Sequence, residues 1–68
     1  MIREKLRNRL RELRVARGWT QAELAQRIGV SRKTINTIEN GVFVPSTMLA
    51  LRLAEAFGER VERLFWME

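Results

Sequence analysis

Residues 20–41 read TQAELAQRIGVSRKTINTIENG and contain the signals for two short helices separated by a tight turn. Thr20 is followed three residues later by Glu23, which is the spacing of a capping box at the start of a helix over residues 21–28. Gly29 supplies the backbone freedom that a tight turn needs, and Ser31 can cap a second helix that ends near residue 40. The stretch therefore predicts a helix, a turn and a second helix.

The second of these helices has two chemically different sides. At about 100° per residue, Ile35 and Ile38 share one side. An arc of about 140° on the opposite side carries hydrogen-bonding side chains and no acid, and its members are Arg32, Lys33, Asn36, Thr37 and Asn40. Such a helix can pack on a core with its apolar side and meet a groove rich in hydrogen-bond acceptors with its polar side.

The remainder of the chain predicts three more helices. Apolar residues recur at helical spacing over residues 4–17, over the segment between Ser46 and Gly58, and over residues 61–65. Residues 43–45 precede the fourth helix and form an extended connector, because a residue before Pro45 is disfavoured in helical angles. We expect an all-α fold in which five short helices share one core and residues 1–68 form a single domain.

The composition argues against several classes of function. The chain has no Cys, His or Asp, so the usual ligand sets for metals and the usual nucleophile and base pairs cannot be assembled. We therefore expect no metal, no cofactor and no enzyme activity. The longest apolar run is too short to cross a membrane, and the charged N-terminus is unlike a secretory signal, which favours a cytoplasmic protein.

The charge of the chain is basic and uneven. The net charge is +5, and residues 1–18 contain seven Arg or Lys against two Glu. Eleven of the thirteen basic residues are Arg, whose guanidinium group suits phosphate and guanine edges. This charge fits a polyanionic partner, and it equally fits a basic helix that is simply solvated.

The residue pattern over 20–41 resembles the helix-turn-helix of the phage repressor and Cro family, also called the XRE family. Small Ala25 lies where the two helices meet, Gly29 lies in the turn, and the family's apolar positions hold Leu24, Ile28, Val30, Ile35 and Ile38. The likeness extends through LRELRVARGWTQ upstream and NGVFVPSTMLALRLAEAFG downstream, over about residues 8–66. It implies a lambda repressor-like domain that binds double-stranded DNA in the major groove. Through this binding the protein would be associated with the nucleoid.

The resemblance also implies roles for individual residues. The side chains that it places at base edges are Arg32, Lys33 and Thr37, with Asn36 next in line. It places Gln21 and Asn40 at phosphates, together with Arg14 if Glu39 does not fully use it. Phe43 is expected to pack on the fourth helix and is not a candidate for DNA contact.

Glu39 is the one acid on the second helix of the motif. In the family an equivalent Glu pairs with an Arg of the first helix, a position that Arg14 matches here. The resemblance therefore implies a structural salt bridge between Arg14 and Glu39. The alternative is an exposed pair that contributes little.

The end of the chain is a candidate surface for self-association. One helix-turn-helix reads few base pairs, and two recognition helices about 34 Å apart give adequate affinity, so we expect a homodimer. A short last helix cannot bury all of its apolar residues, and within residues 59–68 the expected interface residues are Leu64, Phe65, Trp66 and Met67. The alternative is a tail folded back over the first and fourth helices.

The leading hypothesis is a sequence-specific DNA-binding transcriptional regulator, most simply a repressor that occupies a palindromic operator as a dimer. The sequence offers no evident small-molecule site. A second hypothesis is an antitoxin-like module that covers a protein partner with its C-terminal tail and binds DNA secondarily. An RNA-binding role is disfavoured, because the exposed aromatic platform that single strands require is missing.

Overall fold

The computed structural model describes residues 5–68, which form five helices and two short strands. The elements are β1 Leu6–Asn8, α1 Leu10–Ala16, α2 Gln21–Ile28, α3 Arg32–Glu39, α4 Thr47–Phe57, α5 Val61–Leu64 and β2 Phe65–Met67. The predicted all-α architecture with five short helices is confirmed. The two strands were not predicted, and they form a minor antiparallel sheet at the chain ends.

The helix-turn-helix follows the local signals of the sequence. The Thr20 hydroxyl accepts the Glu23 N–H and the Glu23 carboxylate accepts the Thr20 N–H, which completes the capping box of α2. Gly29 ends that helix with a φ of 75°, in the left-handed region that favours glycine. The Ser31 hydroxyl accepts the Thr34 N–H at the start of α3. Each helix therefore carries its own start or stop signal.

The first helix begins later than predicted. Asn8 Oδ1 accepts the Leu10 N–H at 3.0 Å, and Asn8 Nδ2 donates to the Ile38 carbonyl oxygen at 3.0 Å. This side chain satisfies a free N–H at the start of α1, as capping residues do, so the chain before it is released from the helix. Leu6 then pairs with Met67 in the sheet. Residue 4, the predicted start of the helix, lies outside the described residues.

The last helix ends earlier than predicted. Phe65 has extended angles, with φ −130° and ψ 141°, and residues 65–67 pair with β1. Aromatic side chains favour strands, and the pairing gives backbone partners to both segments. The Arg9 N–H donates to the Leu64 carbonyl at 3.0 Å, and the Glu68 N–H donates to the Lys5 carbonyl at 2.9 Å.

A single hydrophobic core joins all five helices and β2. Its buried residues are Leu10, Leu24, Ala25, Ile28, Ile35, Ile38, Leu53, Ala54, Phe57, Leu64 and Phe65. Trp19 closes one side of this core, with its ring centroid 5.2 Å from that of Phe57. In the part of the chain that is described, no helix is long and apolar enough to cross a membrane.

Candidate nucleic-acid interface

The polar side of α3 faces solvent, and its apolar side is built into the core. Ile35 and Ile38 are both buried, which fixes the rotation of the helix. Arg32 and Lys33 are exposed at its first turn. Asn36 and Thr37, the other two candidate base readers, are partly buried, and with the exposed Asn40 they continue the same side.

The Glu39 carboxylate joins three helices. Its Oε2 accepts the Arg14 Nε–H at 2.6 Å. Its Oε1 accepts from Arg14 Nη2 at 3.2 Å, from Gln21 Nε2 at 3.1 Å and from Arg11 Nε at 3.3 Å. The Glu39 side chain is 0% exposed. The salt bridge expected between Arg14 and Glu39 is thus present as part of a larger, shielded cluster that orients α3 against α1 and α2.

The charges in this cluster stabilise each other. Burial alone favours the neutral form of Glu39, but hydrogen bonds from Arg14 and Gln21 and the positive charge of Arg14 outweigh it and lower the pKa of the carboxyl. The hydrogen bond and charge of Glu39 likewise raise the pKa of Arg14, against the effect of burial. Both groups are therefore ionised throughout the neutral range.

Arg14 is not free to bind a phosphate. Its Nη1 donates to the Trp19 carbonyl at 2.8 Å, while its Nε and Nη2 donate to Glu39. Its side chain is only 12% exposed. A phosphate role was expected for Arg14 only if Glu39 did not fully use its guanidinium group. The hydrogen bonds show that the group is fully used, so Arg14 stabilises the fold.

Arg11 is a residue of this surface that sequence reasoning did not single out. Its side chain is 59% exposed, and its Nη2 donates to Asn40 Oδ1 at 3.3 Å. It lies three residues before Arg14 and so shares a side of α1 with it. That spacing, together with the Glu39 pairing, is the signal that could have identified it.

Gln21 lies at the start of α2 beside the recognition helix. Its Nε2 donates to Asn36 Oδ1 and to Glu39 Oε1, each at 3.1 Å. The N–H donors of this side-chain amide are therefore hydrogen-bonded within the protein. What this end of α2 offers to an anion is the backbone N–H groups of Gln21 and Ala22, because the Glu23 N–H already donates to the Thr20 hydroxyl.

Asn40 is likewise engaged within the protein. Its Nδ2 donates to the Asn36 carbonyl at 2.9 Å, and its Oδ1 accepts from Arg11. The backbone after it is also satisfied, since the Gly41 N–H donates to the Ile38 carbonyl at 3.0 Å. At this end of α3 the guanidinium of Arg11 is the more accessible donor.

Phe43 lies beside the recognition helix and outside the hydrophobic core. The N–H groups of Val42 and Phe43 both donate to the Thr37 carbonyl, at 2.9 and 3.2 Å, which draws the connector towards α3. The Phe43 side chain is 44% exposed. It lines a shallow groove of about 250 Å³, and the other lining residues are Ser31, Lys33, Thr34 and Thr37. Phe43 is therefore only half-covered, and its aromatic face is accessible next to the candidate base readers.

The four residues expected at a dimer interface do not share one surface, because successive side chains of β2 point to opposite faces of the strand. Leu64 and Phe65 are 0% and 9% exposed and belong to the core, so they offer little area to a partner chain. Trp66 lies on the other face of the strand from Phe65, and the Arg9 guanidinium carbon lies 4.7 Å from the centroid of its ring. Met67 is exposed.

Comparison with known proteins identifies the family to which this chain belongs. Residues 10–64 match the model of the helix-turn-helix family. An uncharacterized HTH-type transcriptional regulator of Bacillus subtilis, YgzD, is 41% identical over 63 residues, which cover 93% of this chain and 96% of that protein. An uncharacterized HTH-type transcriptional regulator of Archaeoglobus fulgidus is 47% identical over 60 residues, which cover 88% and 86% of the two chains.

A solved structure agrees with the sequence relatives. The restriction-modification controller protein C.AhdI from Aeromonas hydrophila superposes with a TM-score of 0.75 at 36% identity, over 81% of this chain and 80% of that one. A putative DNA-binding protein from Bacteroides fragilis has a TM-score of 0.80 at 23% identity, over 90% and 98% of the two chains, and shows the same fold. The chain belongs to the XRE-type family of DNA-binding helix-turn-helix transcriptional regulators.

Proposed function

We infer that this regulator reads a specific DNA sequence by placing the polar side of α3 in the major groove. The proposal rests on the two different sides of that helix. Ile35 and Ile38 are buried in the core, and Arg32 and Lys33 are exposed on the side turned away from it. A major groove admits an α-helix and presents a distinct pattern of donors and acceptors for each base pair.

The residue types on α3 suggest which bases are read. Arg32 and Lys33 match the O6 and N7 acceptors of guanine, and Asn36 Nδ2 can donate to the N7 acceptor of adenine. Asn36 Oδ1 already accepts from Gln21 Nε2 and Asn40 Nδ2, so the amide has a fixed orientation and its own Nδ2 is the group left to meet a base. We therefore expect a half-site with at least one G·C pair.

Phosphate contacts would flank the recognition helix on the side of α1 and α2. The backbone N–H groups at the start of α2, next to Gln21, suit one phosphate, because a helix N-terminus carries partial positive charge. Arg11 suits a second phosphate near Asn40, since it is exposed and touches that residue. In this assignment Arg11 takes the role that the sequence suggested for Arg14, and Asn40 holds Arg11 in place.

A homodimer would bring two such surfaces to one site. An apolar surface suited to it lies across α4 and the sheet, where Leu6, Pro45 and Leu51 line a shallow cleft of about 260 Å³. Met48 and Met67 add exposed apolar area, Met48 one turn before Leu51 and Met67 opposite Leu6 in the sheet. This surface, called the α4 face below, replaces the interface centred on Trp66.

The α4 face is suited to a second copy of the chain on energetic grounds. Exposed apolar side chains gathered at one place are unusual on a monomer, whereas single ones are ordinary. Pairing two chains also gives the two recognition helices that an operator one DNA turn long requires. A dimer of this kind would bind a palindromic operator and, placed over a promoter, would act as a repressor.

In vitro selection from random duplex DNA tests the proposal. The purified chain is expected to enrich an inverted repeat whose half-site centres lie about 10 base pairs apart and contain at least one G·C pair. Failure to enrich any sequence would overturn the DNA-reading role, and half-sites made only of A·T pairs would overturn the roles given to Arg32 and Lys33.

A second candidate function follows from the exposure of the α4 face. A partner protein, as in the antitoxin-like hypothesis, could cover Met48 and Leu51 in place of a second copy. A chain that sediments as a monomer and copurifies with a stoichiometric protein partner would favour this alternative. Recovery of a homodimer alone favours the DNA-bound dimer.

A further inference from the structure

The groove between α3 and the connector after it is mostly apolar, although it borders the polar side of the recognition helix. Phe43 supplies an aromatic face with 44% of its side chain exposed. Thr37 and Lys33, both candidate base readers, line the same groove. A base that enters this groove would cover the aromatic face and bury apolar surface.

The hydroxyl proton of Thr37 is used within α3, which leaves the methyl group as the part of that side chain available for a new contact. Thr37 Oγ1 donates to the Thr34 carbonyl at 2.9 Å, which commits the proton within the helix. The Thr34 and Ser31 hydroxyl oxygens lie 2.9 Å apart, so one of these two hydroxyls donates to the other. The groove therefore offers few free donors to a base edge and a larger amount of carbon surface.

The position of the aromatic ring is set by the backbone. The Thr37 carbonyl accepts from the N–H groups of both Val42 and Phe43. These bonds tie the connector to the middle of α3 and hold the ring beside Thr37 and Lys33. Val42 is more exposed than Phe43 and is not part of the groove.

We propose that Thr37 and Phe43 form a pocket for the C5-methyl group of one thymine in the half-site, so that Phe43 is a specificity-determining residue. The proposal rests on the major-groove reading described above. Among the groups that the four bases present in the major groove, the thymine methyl is the apolar one, and threonine methyl and phenylalanine side chains are suitable partners for it. Lys33, on the polar edge of the same groove, is free to bind the neighbouring base.

Replacement of thymine by uracil tests the pocket, because it removes only the methyl group. On the selected operator, uracil at one thymine of each half-site is expected to weaken binding of the unaltered protein about fourfold per half-site. This is the change in affinity that corresponds to the free energy of burying one methyl group. Uracil at the other thymines should have a smaller effect. Fluorescence anisotropy at fixed salt measures each affinity.

A double-mutant cycle assigns the effect to Phe43. The Phe43→Ala variant should bind the thymine operator less tightly than the unaltered protein and should no longer distinguish thymine from uracil at that position. Val42→Ala, a change at an exposed apolar residue of the same connector, should retain the full distinction. Circular dichroism shows whether each variant is folded, and the uracil result on the unaltered protein does not depend on any variant.

The outcomes separate this proposal from the broader one. If the chain selects no DNA sequence, the proposed function fails. If it selects a site but tolerates uracil at every thymine, or selects half-sites without thymine, the DNA-reading role stands and the methyl pocket is wrong. A uracil effect that persists unchanged in Phe43→Ala would remove Phe43 from the pocket.

Discussion

Arg14 Nε lies 2.6 Å from Glu39 Oε2, in a pair whose side chains are 12% and 0% exposed. Arg11 binds the same carboxylate at 3.3 Å but is 59% exposed. The carboxylate thus has one shielded and one solvated arginine partner, and the two should differ in their contribution to stability.

Arg14→Ala is expected to lower the free energy of unfolding by about 1.5 to 3 kcal/mol, because it removes the shielded hydrogen bonds to a buried carboxylate that keeps Gln21 and Arg11 as partners. Arg11→Ala should cost no more than about 1 kcal/mol, as exposed ion pairs do. Urea unfolding followed by circular dichroism measures both. Equal losses for the two variants would contradict the structural role of Arg14.

The lowered pKa of Glu39 predicts a dependence of stability on pH. The native protein keeps this carboxyl ionised at a lower pH than the unfolded chain, whose ordinary value is 4.5. The contribution is therefore complete above about pH 4.5 and is lost as the pH falls through the native pKa. Thermal unfolding between pH 7 and pH 3 should show this loss.

Glu39→Gln is the matched variant for that experiment. It is expected to be less stable than the unaltered protein at pH 7, with a smaller further loss on acidification. Glu23 keeps its own lowered pKa in both proteins, owing to the Thr20 backbone N–H and hydroxyl, so some dependence on pH remains. Parallel curves for the two proteins would show that Glu39 is not stabilised as described.

Several features of the fold were predictable because their causes are local. The Thr20 and Glu23 capping box lies within one turn of α2, and the left-handed angle of Gly29 is set by one residue. The strands were not predictable in this way. Leu6 and Leu10 have helical spacing, and Leu6 is extended because it pairs with Met67 at the other end of the chain.

The candidate site likewise has some features that follow from local sequence and others that depend on tertiary contacts. The periodicity of α3 predicts which side chains face outward, and the structure agrees for Arg32 and Lys33. The internal hydrogen bonds of Gln21 and Asn40 depend on how three helices meet, and sequence spacing does not contain that information. The position of Phe43 depends on the bonds of its connector to Thr37, which are also tertiary.

The phosphate role of Arg11 predicts a change in the salt dependence of DNA binding. Loss of one phosphate contact reduces the slope of log K against log salt by about 0.9 per subunit. Arg11→Ala should show this reduction with sequence preference retained. Arg63→Ala is the matched control, since Arg63 is also 59% exposed and ion-paired but lies on α5. The role would be wrong if both variants kept the slope of the unaltered protein.

The α4 face predicts which surface charge disrupts the dimer. Leu51→Glu places a carboxylate in the centre of that face and is expected to shift the protein to monomer in sedimentation equilibrium. Val15→Glu is the control, because Val15 is also exposed but borders a groove shared with Trp66. Dissociation by Val15→Glu with no effect of Leu51→Glu would place the interface on the Trp66 side.

The most direct test of the central claim is to repeat the DNA selection with Arg32→Ala and with Lys33→Ala. If α3 reads bases in the major groove, each variant should lose preference at one base pair per half-site, by about 1 to 3 kcal/mol, and keep the others. Selection of the same sequence with undiminished preference by both variants would contradict the claim that this side of α3 reads DNA.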